Sequence, residues 1–306
     1  MSIEKLLDAA RECGCEILLN EPLEAHTTFK IGGPCDAMVE VNSAESLKRL
    51  VELGRAEKVR TYILGKGSNV LFDDRGFKGV VLHIGQGLSE AEVVDGAVIR
   101  AQAGCSLMKL CRLALENSLT GLEFAYGIPG TVGGAVFMNA GAYGGEIKDI
   151  IKSCTVITCD GEIKELSAEE LELSYRHSVL QENGGVVCEA VFELEKGDKA
   201  EIEEKMNELI GRRRDKQPLE FPNAGSTFKR PEGFFAGKLI QDCGLRGFTV
   251  GGAKVSDKHC GFVINSGNAT SADVRSLIEQ VQKIVQKETG QFLECEVRIV
   301  GYEETR

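Results

Sequence analysis

Apolar residues recur at helical spacing in five tracts of the chain. The opening tract, MSIEKLLDAARECGCEILLN (1–20), carries charges throughout and reads as one amphipathic helix. Asn42 to Glu57 predicts a second helix, with Leu47, Leu50 and Val51 on one face. Ser106 can cap a third, whose stripe is Leu107, Leu110, Cys111, Ala114 and Leu115. Ala200 to Arg214 predicts a fourth, with Ile202, Met206, Leu209 and Ile210 on one side. Thr270 and Asp273 box the start of the fifth, which lines up Val274, Leu277, Ile278, Val281 and Val285 and stops at Gly290.

Between the helices the pattern shortens to that of strands. Thr27 to Phe29 is extended and Gly32-Gly33-Pro34 is a turn. Strands are expected at 37–41, 59–64, 97–101, 153–159, 185–194, 250–255 and 259–265. The last, in FLECEVRIVG (292–301), alternates: Cys295, Val297 and Ile299 face one way, and Glu294, Glu296 and Arg298 the other. Helices alternate with strands, and short strands crowd the middle. The pattern predicts an α+β fold with a mixed sheet and a boundary near Lys196-Gly197-Asp198.

Composition narrows the function. At 306 residues the chain has room for two or three domains. A net charge of −11 argues against a nucleic-acid binder or a membrane-surface binder, so an anionic ligand would need a local basic cluster. No stretch approaches a membrane span, and the charged start is no signal peptide, so a cytoplasmic protein is expected. The eleven cysteines include no C-x-x-C pair and no zinc spacing. They read as small buried residues in a reducing compartment, with no metal site.

Two glycine loops carry candidate chemistry. Gly121 to Gly145 reads GLEFAYGIPGTVGGAVFMNAGAYGG. Pro129 can open a helical turn there, and a helix start offers unpaired N–H groups to phosphate. The plainer reading is a tightly packed run of turns. The second loop is Gly65-Lys66-Gly67-Ser68-Asn69. It is no P-loop, because Gly67 separates Lys66 from Ser68, and no Rossmann fingerprint, because position 70 is Val and a strand follows. A backbone nest for phosphate fits it, and so does an ordinary strand–strand turn. Arg212, Arg213, Arg214 and Lys216 end the fourth helix, where cations are favourable in any case. Capture of a diphosphate is the alternative.

Seven ordered motifs make a resemblance specific: TTFKIGGP (27–34), LGKGSNVL (64–71), GIPGTVGGAVFMNAGAYG (127–144), SYRHS (174–178), NAGSTFKRP (223–231), AGKLIQDCGLRG (236–247) and LECEVRIVG (293–301). In that order the chain resembles the UDP-N-acetylenolpyruvoylglucosamine reductase (MurB) family over nearly its whole length. The resemblance implies an FAD-binding fold of the vanillyl-alcohol-oxidase (PCMH) type in two subdomains, 1–85 and 86–197. A substrate domain, 198–306, would follow, its last strand, 292–301, returning to the active site. It implies noncovalent FAD, NADPH as reductant, a monomer, and reduction of UDP-N-acetylglucosamine enolpyruvate to UDP-N-acetylmuramate, a peptidoglycan precursor. The short run from Gly145 to Arg176 resembles the members that lack a tyrosine-bearing insertion.

The family chemistry moves hydride from NADPH to flavin, and from flavin to C3 of the enolpyruvyl group. The resemblance assigns Ser226 as proton donor to C2, and Arg176 and Glu296 as stabilisers of the enolate-like carboxylate. A guanidinium fork suits two carboxylate oxygens. Glu296 helps best when protonated, so a raised pKa is expected. The cofactor would lie along Gly65, Lys66, Gly67, Ser68 and Asn69, and along Gly127, Ile128, Pro129, Gly130, Thr131, Gly133, Gly134, Asn139 and Gly141. Tyr175, Lys216, Asn223, Lys238 and Gln241 are the expected substrate contacts. Two rivals remain: an FAD-dependent sugar or lactone oxidase of the same fold, and a non-enzymatic flavin or sugar-nucleotide regulator.

Overall fold

A computed structural model of the chain describes residues 3–303. Met1 and Ser2, with which the expected first helix begins, lie outside it, as do 304–306 at the end of the expected third domain. The chain divides into two compact units. The first is Met1–Leu18, Ala37–Gly65 and Gly79–Arg213; the second is Leu19–Asp36, Lys66–Lys78 and Arg214–Arg306. This division cuts the chain differently from the three consecutive domains expected from the sequence: each unit takes separated segments, and the first continues past residue 197 to Arg213.

The first unit is built on an antiparallel sheet of five strands. In spatial order they are Ile163–Ser167, Ile151–Ile157, Val186–Glu193, Val98–Gln102 and Ala91–Asp95. The short helix Val132–Phe137 packs on the central strands. Leu107–Glu116 is capped by the Ser106 hydroxyl, which accepts from the Lys109 N–H. Leu107, Leu110, Cys111 and Ala114 are buried along it. A second sheet runs Glu16–Leu19, Cys35–Glu40, Phe77–His83 and Thr61–Leu64, the last two parallel. Helix Ala44–Ala56 buries Leu47, Leu50 and Val51 and starts at a reciprocal Ser43–Ser46 capping box.

The second unit has its own apolar cluster, which includes Phe29, Leu71, Phe228, Ile240, Val255 and Leu277. Helix Ser271–Thr289 has the expected cap, with Thr270 accepting from the Asp273 N–H, and ends at left-handed Gly290. A three-stranded meander (Thr249–Val250, Ala253–Val255, Val263–Asn265) packs with it. Arg298–Val300 pairs in parallel with Val70–Phe72.

Four expectations need correction. The strand expected at 259–265 covers only Val263–Asn265, after a turn in which the His259 carbonyl accepts from the Phe262 N–H. The opening helix covers only Ile3–Glu12; Gly14 turns left-handed (φ 69°) and Glu16–Leu19 is a strand. The expected strand 250–255 is two strands around the Gly251-Gly252 turn. The final tract is a regular strand only over Arg298–Val300, and its phase slips, with Val297 and Val300 buried and Ile299 37% exposed. The slip has a cause. The Thr227 carbonyl accepts from the Glu296 N–H and the Glu294 carbonyl from the Lys229 N–H, whereas Arg298 onward pairs with 70–72.

All eleven cysteines are free thiols. Seven are buried, Cys13, Cys243 and Cys295 are half-buried, and Cys159 is exposed. Burial pushes the Cys35, Cys188 and Cys295 thiols up to about 11, and the Cys111 and Cys154 thiols higher still. Brief maleimide labelling of the folded protein near neutral pH, read by peptide mass spectrometry, should mark Cys159 first. The buried seven should react only in denaturant. Early labelling of Cys111 or Cys154 would contradict this packing.

Candidate active site

The loop Lys66–Asn69 belongs to the second unit, and Gly67 fixes its shape. Gly67 has φ 58°, and a Cβ there would sit 2.2 Å from the His26 carbonyl oxygen. The Gly67 carbonyl accepts from the Thr28 N–H. The N–H groups of Lys66, Gly67, Ser68 and Asn69 donate to no described residue. Four successive unengaged donors in a tight loop make a nest for an anion. Asn69 also uses its side chain, donating to the Glu296 carbonyl at 3.3 Å.

Gly65 ends the adjoining stretch of the first unit. A Cβ on it would lie 2.6 Å from the hydroxyl of Thr131, in the same unit. The helix start in the Gly121–Gly145 loop differs from the sequence expectation. Thr131, not Pro129, is the cap, accepting from the Gly134 N–H. Its first donors are already used: Val132 donates to the Cys105 carbonyl and Gly133 to the Ala103 carbonyl, both at 2.8 Å. That helix start therefore holds the protein together and has no spare N–H for phosphate. Ile128, Gly130 and exposed Pro129 form the bend before it, with Gly130 accepting from the Leu107 N–H. A dinucleotide fits the nest at 66–69 and does not fit that helix start.

Ser226 is exposed, beside left-handed Gly225 (φ 77°). Its neighbour Thr227 is 2% exposed and bonded on three sides. The Thr227 N–H donates to the Gly261 carbonyl, its hydroxyl accepts from the Val263 N–H, and its carbonyl accepts from the Glu296 N–H. This anchor brings the Ser226 loop beside the backbone of Glu296. Asn223 shapes the same loop: its side-chain oxygen accepts from the Gly225 N–H, and its amide donates to the Phe221 and Pro218 carbonyls.

Arg176 is in the first unit, third in the tight turn Ser174–His177, whose ends exchange backbone hydrogen bonds. Its backbone is left-handed (φ 57°), which costs a non-glycine residue about 1–2 kcal/mol. The guanidinium lies 5.0 Å from the Tyr175 ring centroid and donates to the Gly141 carbonyl at 3.3 Å. Glu146 stands close by, bonded to Lys148 at 2.9 Å and to the Asn139 amide at 3.0 Å. Burial pushes its carboxyl up, but these two bonds and the charges of Lys148 and Arg176 outweigh it and hold it below the usual carboxylate range.

Several expected ligand contacts are engaged elsewhere. The Asn139 side chain, expected on the cofactor, is fully buried and bonded to Glu146, the Ser174 carbonyl and the Lys148 N–H. The Asn223 amide is committed to its own loop. Lys238 pairs with Asp242, and Gln241 accepts from Arg246 at 2.6 Å. Lys216 is exposed at the end of helix Lys199–Lys216. The sequence reading did not single out Arg213 from its basic run. Its side chain presses on Gly127, where a Cβ would meet Arg213 Cδ at 3.0 Å, and desolvation lowers its pKa. Among the described residues no carboxylate pairs with it.

The chain is similar to proteins of one named family. Residues 217–300 match the domain described as "UDP-N-acetylenolpyruvoylglucosamine reductase, C-terminal domain". Proteins named UDP-N-acetylenolpyruvoylglucosamine reductase are 51% identical in Agathobacter rectalis, over 93% of this chain and 94% of that one, and 48% identical in Caldanaerobacter subterraneus subsp. tengcongensis, over 98% of both. The chain belongs to the UDP-N-acetylenolpyruvoylglucosamine reductase family. Residues 35–167 match "FAD binding domain", and the α+β fold is an FAD-binding one. The crystal structure of the reductase (MurB) from Thermus caldophilus superposes with a TM-score of 0.79 at 35% identity, over 94% of this chain and 98% of that one. In this family member the run from Gly145 to Arg176 holds a short turn and the hairpin Ile151–Ile157/Ile163–Ser167.

Gly67 and Gly134 separate ligand from fold. Gly67→Ala should abolish retention of yellow FAD through gel filtration. Gly134 is helical, and a Cβ there meets only the Thr131 hydroxyl at 3.6 Å. Gly134→Ala should keep FAD and raise the melting temperature, since alanine is favoured in helices by about 0.5–1 kcal/mol. Full FAD occupancy in Gly67→Ala would remove the nest from the site.

Proposed function

We propose that this chain reduces UDP-N-acetylglucosamine enolpyruvate to UDP-N-acetylmuramate, using NADPH and noncovalent FAD, as a cytoplasmic monomer supplying peptidoglycan synthesis. The observation that carries the reading is the exposed Ser226 alcohol, beside an anchor hydrogen-bonded to Glu296, in a chain of this family. Bound FAD would supply hydride to C3 of the enolpyruvyl group, replenished by NADPH.

The chain's own residues have the remaining tasks. The N–H groups of Lys66–Asn69 would hold the FAD diphosphate without a counter-charge. Negative charge develops on the substrate carboxylate as C3 is reduced, and fixed donors there lower the barrier. The Arg176 fork would grip that carboxylate from two N–H groups. Glu296, protonated, would add a third donor, which requires its pKa to be raised above the usual carboxylate range. Ser226 would then give its proton to C2. An alcohol is a weak acid, so close placement matters more here than acidity. Lys216 and Tyr175 would meet the substrate's diphosphate and sugar.

Flavin colour separates the two halves of turnover under anaerobic conditions. In the wild type, NADPH should bleach the flavin and the enolpyruvyl substrate should restore its colour without oxygen. No recovery would exclude the reductase reading and favour an oxidase. Ser226→Ala should bleach normally but recover at least about tenfold more slowly, or about 1.4 kcal/mol in barrier. Recovery within that factor would remove Ser226 as the proton donor.

A further inference from the structure

Two side-chain amides hold the turn that carries Arg176. Asn139 Nδ2 donates to the Ser174 carbonyl at 2.8 Å. Gln181 Nε2 donates to the Arg176 carbonyl at 3.1 Å and to the Phe137 carbonyl at 2.9 Å. The carbonyls held, Ser174 and Arg176, flank the two residues at the tip of the turn. Both amides are tied to one place, the end of helix Val132–Phe137. Asn139 is two residues past that helix, and Phe137 is its last residue. The Ser178 hydroxyl joins them, donating to the Phe137 carbonyl at 2.7 Å.

Asn139 is itself over-determined. Its backbone is left-handed (φ 41°), its side chain is fully buried, and its oxygen accepts from the Lys148 N–H at 2.9 Å. Its amide nitrogen serves both the Ser174 carbonyl and Glu146. A buried amide with every bond made is rigid, and losing one bond leaves an unsatisfied group worth about 1–3 kcal/mol. Arg176 has the opposite tendency: its left-handed backbone is unfavourable and would relax if its carbonyl were freed.

We propose that Asn139 and Gln181 are positioning residues: together they lock the Ser174–His177 turn so that the Arg176 guanidinium is held ready for the substrate carboxylate. The inference rests on the catalytic role proposed for Arg176. Neither amide need touch FAD or substrate. Their effect should appear only in the step that uses Arg176, because an arginine displaced by an ångström loses its fit to two oxygens.

The test uses FAD-loaded enzyme and the two anaerobic half-reactions. Gln181→Met keeps length and removes the donor at a half-exposed position, so it should fold. Asn139→Asp keeps shape and tolerance of positive φ but removes the N–H donors. Each should slow recovery of flavin colour by enolpyruvyl substrate about tenfold or more, leaving NADPH bleaching within about threefold. On an Arg176→Ala background neither should slow recovery further. Equal slowing of both half-reactions, unchanged recovery in Gln181→Met, or a full added loss on the Arg176→Ala background would each overturn the proposal. If Asn139→Asp does not fold, Gln181→Met decides alone. A different result would undo the underlying reading instead: Arg176→Ala recovering colour at the wild-type rate.

Discussion

One stretch of backbone, Glu294 to Val300, holds the Ser226 loop and the 66–72 segment of the second unit in register. At its start the Glu294 carbonyl and the Glu296 N–H bond to Lys229 and Thr227, which carries the Ser226 loop. Farther on, the Glu296 carbonyl accepts from the Asn69 side chain, and the Arg298 N–H donates to the Asn69 carbonyl. The tract then becomes the parallel partner of Val70–Phe72. The Ser226 loop and the 66–69 loop, far apart in sequence, are thus fixed to the same few residues. Glu296 lies between them. The same exchange of partners breaks the tract's regular alternation, so the irregularity and the site share one cause.

The first unit solves a similar problem with side chains. Its glycine loop, Gly121 to Gly145, uses its helix-start N–H groups to bind residues 103–105, and the end of that helix anchors the Arg176 turn. Glycine is needed there for packing: Gly133 and Gly141 would each bring a Cβ to 3.0 Å or less of protein atoms. In the 66–69 loop Gly67 is also close-packed, against the His26 carbonyl, but the N–H groups of the loop stay unclaimed by other described residues. One residue type, in two motifs of similar appearance, makes a rigid strut in one and an open cradle in the other. Which of these a glycine run becomes depends on whether a neighbouring chain segment claims its N–H groups, a non-local fact.

That distinction explains what the sequence disclosed. The five helical tracts, their caps at Ser106 and Thr270 and their buried stripes were legible because capping and periodicity are local. Among the strands outside the expected ranges, Glu16–Leu19, Ala91–Asp95 and Ile163–Ser167 lie at sheet edges. Edge strands carry charge that discourages pairing with other chains, as Glu92, Asp95, Lys164 and Glu165 do here, and this erases the apolar pattern. Ser226, Arg176 and Glu296 were singled out through ordered motifs, and the roles proposed for them rest on those motifs. Asn139 and Asn223 were legible as important but not as to role: a buried amide that braces a loop and an exposed one that meets a ligand look alike in one dimension. Arg213 was hidden in a basic run of the kind that any helix end attracts.

The proposed reaction makes a spatial demand on the substrate complex: the Ser226 alcohol, the Arg176 guanidinium and the Glu296 carboxyl would each reach one enolpyruvyl group, with the FAD diphosphate at 66–69. A crystal structure of the chain with FAD and the enolpyruvyl substrate measures this directly. The account predicts FAD phosphate oxygens within hydrogen-bond reach of the N–H groups of Lys66–Asn69. It also predicts Ser226 Oγ about 3–3.5 Å from C2, a near-attack distance, with Arg176 and Glu296 on the carboxylate. Phosphates bound elsewhere, or a Ser226 hydroxyl remote from C2, would contradict it.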